Sequence, residues 1–87
     1  MKLMIVIIRN ADYEPVIQAL VEKEFRVTYI ASTGGFLRRG NTTLLIGTEE
    51  DRIDQALEII RNACSPAEAG QRRATIFVAN LDSFKQL

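Results

Sequence analysis

Phe25-Arg26-Val27-Thr28-Tyr29-Ile30-Ala31-Ser32, a glycine-bearing stretch, and then Thr42-Thr43-Leu44-Leu45-Ile46-Gly47 is the passage that decides the fold. Its first half alternates with the two-residue period of a strand: Phe25, Val27, Tyr29 and Ala31 face one way, and Arg26, Thr28, Ile30 and Ser32 the other. Its second half is another strand, and no helical periodicity separates the two. Upstream, Leu3 to Ile8 is a continuous apolar run, the mark of a strand buried on both faces. Between that run and Phe25, Val16, Ile17, Leu20 and Val21 form the stripe of a helix that Asn10 or Asp12 can cap, with Pro15 tolerated in its first turn. Downstream, Thr48-Glu49-Glu50-Asp51 reads as a capping box. Ile53, Leu57, Ile60 and Cys64 then line one face of a second helix, which ends at Ser65-Pro66. Thr75 to Ala79 is the last strand.

The order β-α-β-β-α-β predicts an α+β, ferredoxin-like sandwich, an antiparallel sheet with two helices on one face. Leu3, Ile5 and Ile7 then leave an apolar stripe on the uncovered face, opposite Met4, Val6 and Ile8. Further copies of the same chain are the simplest cover. The 87 residues allow one domain, 1–87. A chain of this size buries only roughly 60–65% of its unfolded surface, which also favours self-association.

Composition excludes several functions. Eleven basic and eleven acidic residues cancel, so no overall field draws the chain to nucleic acid or to a membrane surface. Histidine is absent and Cys64 is the only cysteine, which argues against a zinc site, a disulfide and the commonest general acid–base chemistry. Cys64 reads as a core thiol, Glu49-Glu50-Asp51 as helix-start electrostatics, and Arg38-Arg39 and Arg72-Arg73 as solvated charges. No catalytic residue, metal ligand or cofactor site is predicted. The apolar opening stops at Arg9, too short to span a bilayer and without a cleavage site, so a cytoplasmic protein is expected.

The stretch Ser32-Thr33-Gly34-Gly35-Phe36-Leu37-Arg38-Arg39-Gly40-Asn41-Thr42-Thr43 is longer than the usual ~2–5 residues of a hairpin loop. Its glycines let backbone approach a ligand, and Thr33, Asn41, Thr42 and Thr43 add hydrogen-bonding groups. Phe36 and Leu37 touch either a ligand or a neighbouring chain. Beside the loop, Arg26 and Thr28 share a strand face and supply a guanidinium and a hydroxyl for an anion. The residues by themselves point to a small anionic, nucleotide-like effector.

Thr33-Gly34-Gly35-Phe36-Leu37, Gly40-Asn41-Thr42-Thr43 and Gly47 resemble the signature of the PstA (DarA) family of cyclic di-AMP receptors, which have a PII-like fold. Phe25-Arg26-Val27-Thr28, Asn62-Ala63-Cys64, Ala74-Thr75-Ile76-Phe77-Val78 and Asp82-Ser83-Phe84-Lys85-Gln86-Leu87 extend the resemblance over nearly the whole chain. It implies a homotrimeric, non-enzymatic signalling protein that binds cyclic di-AMP, or a related adenine nucleotide, at subunit interfaces and relays it to an unidentified protein partner. The implied ligand set is Arg26, Thr28, Gly35, Phe36, Leu37, Asn41, Gly47, Phe77 and Gln86. Gly35, Phe36 and Leu37 would hold an adenine, Asn41 and Gly47 its edge, and Arg26, Thr28 and Gln86 the phosphates. One departure stands out. Similar proteins carry a long loop over the site where this chain has only residues 65–73, which implies a shortened lid. The alternative is a trimeric scaffold that no longer binds nucleotide. An ACT-type metabolite sensor shares the element order, but Arg9-Asn10-Ala11-Asp12 lacks the glycine its effector turn favours. An RRM-like RNA binder would need stacking aromatics that the central strands lack.

Overall fold

The computed structural model describes residues 1–31, 40–66, 72–85 and 87. The elements run β1 (Lys2–Arg9), α1 (Tyr13–Glu22), β2 (Arg26–Ala31), β3 (Asn41–Thr48), a 3-10 turn (Glu50–Arg52), α2 (Ile53–Ala63) and β4 (Ala74–Asn80). The strands form one antiparallel sheet in the order β2-β3-β1-β4. This is the α+β, ferredoxin-like arrangement expected from the element order.

The central strand β1 divides its side chains by parity. Met4, Val6 and Ile8 are buried with Leu44 and Ile46 of β3, Val16 and Leu20 of α1, and Ala56 and Ile60 of α2. Both helices therefore cover one face. Leu3, Ile5 and Ile7 lie on the other, only half-buried. The alternation read in the second strand holds from Arg26 to Tyr29, then breaks. Thr28 and Tyr29 pair with Leu45 and Leu44, but Ala31 rather than Ile30 pairs with Thr43, so a bulge shifts the register.

Two expected caps do not form. Asp12 occupies the N-cap position of α1, yet its carboxylate makes no cap. Its Oδ2 instead accepts from Arg9 Nε at 2.8 Å and meets Arg9 Nη2 at 2.7 Å. Oδ1 accepts from the Ser65 N–H at 3.1 Å and the Ser65 hydroxyl at 2.8 Å. The buried carboxylate thus fastens the end of β1 and the start of α1 to the segment that follows α2. Burial alone would raise the Asp12 pKa, but the two Ser65 hydrogen bonds and the Arg9 guanidinium outweigh it and hold the carboxyl below its ordinary 3.8. Thr48-Glu49-Glu50-Asp51 is likewise no capping box. Thr48 ends β3, and Glu49 precedes the 3-10 turn without a side-chain cap.

At the other end of α1, the Phe25 N–H bonds the Leu20 carbonyl at 3.0 Å and the Glu24 N–H bonds that of Val21 at 2.9 Å. These are the paired bonds of a Schellman motif, and buried Phe25 and Leu20 supply its apolar contact. The left-handed position, normally glycine, is held by Glu24 at φ 66°.

Two outcomes follow for stability. Glu24→Gly removes a left-handed penalty of ~1–2 kcal/mol and adds some unfolded-state entropy, so it should raise stability by about 0.5–1 kcal/mol in urea titrations at fixed protein concentration. A group with a depressed folded pKa stabilises above its unfolded value and loses that contribution as pH falls through the folded one. Acid unfolding of the native chain should therefore steepen below about pH 4. Asp12→Asn should cost about 1.5–3 kcal/mol at pH 7 and flatten that acid limb.

Candidate functional site

Sheet register assembles the site on the uncovered face. Arg26 lies opposite Gly47, Gly47 opposite Leu3, and Leu3 opposite Ala79; one row on, Thr28, Leu45, Ile5 and Phe77 cross the sheet in the same way. Direct partners in antiparallel strands share a face, so both rows look away from the helices. Arg26, Thr28, Leu45, Gly47 and Leu3 form part of the wall of an open pocket of about 620 Å³. The turn after α1, the segment after β3 and the chain following β4 complete it, with Phe25, Arg52, Leu81 and Phe84 among the lining residues.

Local contacts fix these walls. Arg52 lies over the Phe25 ring, 4.0 Å from its centroid, and donates to the Lys23 carbonyl at 2.7 Å. That pair ties the 3-10 turn to the Schellman turn. The Leu81 N–H bonds the Met1 carbonyl at 3.0 Å, which turns the chain after β4 along the pocket. Phe84 then reaches Arg26, whose guanidinium carbon lies 6.0 Å from the ring centroid. Arg26 makes no salt bridge among the described residues. Its donors stay available beside a hydroxyl, an apolar wall and a glycine. A Cβ built on Gly47 would meet nothing within 4 Å, so this glycine keeps open space that the fold does not need.

Three of the predicted ligand residues, Arg26, Thr28 and Gly47, come together in this pocket. Phe77 shares their face but lies on edge strand β4, 56% exposed and three strands from Thr28. Asn41 begins β3, at the end opposite Gly47. Gly35, Phe36, Leu37 and Gln86 lie outside the described residues. Leu3, Leu45, Arg52 and Phe84 were not among the expected ligand residues. The first two were legible from register, since each shares a row with Arg26 or Thr28. Phe84 had a weaker signal, an aromatic ring in the otherwise polar Asp82-Ser83-Phe84-Lys85.

Cys64 is buried, and its thiol pKa is raised, chiefly by burial and also by Asp12. Among the described residues no three metal-ligating side chains cluster, and no helix is long and apolar enough to cross a membrane. Arg72 and Arg73 are exposed, as expected of solvated charges.

A family model described as "Cyclic-di-AMP receptor" matches residues 1–84. The chain belongs to the cyclic-di-AMP receptor family. The match includes every described residue of the pocket wall, and membership supports a cyclic-di-AMP-binding role and a receptor rather than a catalyst. The fold is also similar to the crystal structure of a functionally unknown protein from Pediococcus pentosaceus ATCC 25745. That similarity has a TM-score of 0.78 and 34% sequence identity, covering 99% of this chain and 96% of the other.

Gly47 offers a selective test. Gly47→Ala should leave thermal stability unchanged or slightly higher, because its Cβ enters open space in a strand. Calorimetry should nevertheless show weaker cyclic di-AMP binding, by about three- to thirty-fold, equivalent to ~0.7–2 kcal/mol. Unaltered affinity would remove Gly47 from the ligand set.

Proposed function

We propose that residues 1–87 act as one PII-like domain, a cytoplasmic homotrimer that binds cyclic di-AMP at its subunit interfaces and relays that binding to a protein partner. It carries out no catalysis and needs no cofactor. The observation that carries this reading is the grouping of Arg26, Thr28 and Gly47 in one open pocket, with the Arg26 guanidinium in no salt bridge among the described residues. A guanidinium, a hydroxyl and an adjoining apolar wall suit a molecule that joins phosphates to bases.

Geometry favours an interface over a site within one chain. Asn41 stands six residues from Gly47 along β3, about 20 Å at ~3.3 Å per residue. A compact site that uses both must take Asn41 from a neighbouring copy. The half-buried Leu3, Ile5, Ile7 and Leu45 and the exposed Phe77 give that copy an apolar face to cover. In this reading Gly35, Phe36 and Leu37 hold an adenine, with Phe77 adding apolar surface and Asn41 and Gly47 fixing the base edge. Arg26, Thr28 and Gln86 serve the phosphates.

Isothermal titration of the protein with cyclic di-AMP, and with ATP for comparison, tests the reading. Saturation near one cyclic di-AMP per subunit, much tighter than ATP, is expected. Arg26→Ala should weaken binding about ten- to a hundred-fold, the equivalent of losing one charge-assisted hydrogen bond of ~1.5–3 kcal/mol. Absence of heat and of thermal stabilisation with both ligands would favour a trimeric scaffold without a nucleotide site.

A further inference from the structure

Arg26 and Phe84 form a contact whose chemistry the receptor reading does not require. Arg26 lies on edge strand β2, exposed, and makes no salt bridge among the described residues. Its guanidinium meets the ring of Phe84, 48% exposed, from the chain that follows β4 at the opposite edge of the sheet. Both residues line the same pocket. We propose that Phe84 is a positioning residue that orients the Arg26 guanidinium for the anionic part of the ligand. The proposal rests on the receptor reading and extends it to a residue outside the ligand set named above.

The physical case concerns which part of the guanidinium each partner uses. A carboxylate partner would occupy the N–H donors and compete with a phosphate for them. An aromatic face attracts the cation through its quadrupole and leaves the in-plane donors free. Phe84 thus limits the rotamers of a long, exposed side chain without consuming the groups that bind. Its segment has an anchor as well: the Leu81 N–H bond to the Met1 carbonyl fixes the start of the segment three residues earlier. Restricting Arg26 before binding removes part of the ordering cost at the moment of binding, which is how preorganisation gains affinity.

The test compares Phe84→Leu, which keeps an apolar side chain and removes the π face, with Phe84→Tyr, which keeps both. Cyclic di-AMP is the probe, measured by calorimetry in wild-type and Arg26→Ala backgrounds, with thermal melts as the fold control. Phe84→Leu should weaken binding about two- to five-fold where Arg26 is present and have no effect in Arg26→Ala, while Phe84→Tyr binds like wild type. Equal losses in both backgrounds would overturn the positioning role, because Phe84 would then act without Arg26. NMR of the unliganded protein reads the contact directly. The Arg26 δ-protons should show an upfield ring-current shift that Phe84→Leu abolishes, and absence of that shift in wild type would also overturn the proposal. A wild-type protein with the shift but no cyclic di-AMP binding would overturn the receptor reading and the positioning role together, while leaving the contact itself established.

Discussion

Everything in this structure depends on β1 being apolar on both faces. As a central strand it must be paired on both edges, which β3 and β4 accomplish in antiparallel register. Its even-numbered residues Met4, Val6 and Ile8 are then satisfied by two helices, and its odd-numbered residues Leu3, Ile5 and Ile7 are not. The described elements supply two helices to one face and no layer to the second. The candidate site lies on that exposed face, where side chains can still meet something outside the chain.

The buried Asp12 shows how tertiary contacts override local signals. From the sequence it is a plausible helix cap, worth ~1 kcal/mol. In the structure Arg9 comes from three residues earlier and Ser65 from more than fifty later, and between them they take both carboxylate oxygens. Charge-assisted bonds in a buried site outcompete a cap to a helix N–H group. Thr42 and Asn10 make a comparable link, with the Thr42 hydroxyl donating to the Asn10 side-chain oxygen at 2.6 Å. Together these contacts fasten the end of the sheet that carries Asn41.

How much could be read in advance follows from the range of the forces involved. Strand and helix identities were legible because apolar periodicity is local, and the i, i+4, i+7 stripe from Ile53 to Ile60 is a clear instance. The open face was legible because parity along β1 follows from residue order alone. Arg26 and Thr28 were legible as one face of β2 from its two-residue period, whereas Gly47 was expected only through the family resemblance and is brought beside them by β2–β3 register. Phe84 could not be placed this way. Its position depends on how a segment without regular structure turns after β4, and no periodicity encodes that turn. The bulge after Tyr29 was hidden for a similar reason, since an extra residue in one strand shows only when its partner is known.

Three departures from local preference border the pocket. Glu24 adopts a left-handed conformation suited to glycine, Gly47 leaves open space in a strand, and Phe84 exposes an aromatic ring. Glu24→Gly would relieve strain, Gly47→Ala would cost no stability, and all three residues line the same cavity. The core face shows no such pattern: its largest side chains are fully buried, and no buried side-chain polar atom among the described residues lacks a partner. In the proposed receptor reading, such departures beside one pocket fit a surface kept for binding more than for folding. The Arg26–Phe84 contact belongs to that pattern, because an exposed cation resting on an exposed ring contributes little to stability and leaves the donors of the cation free.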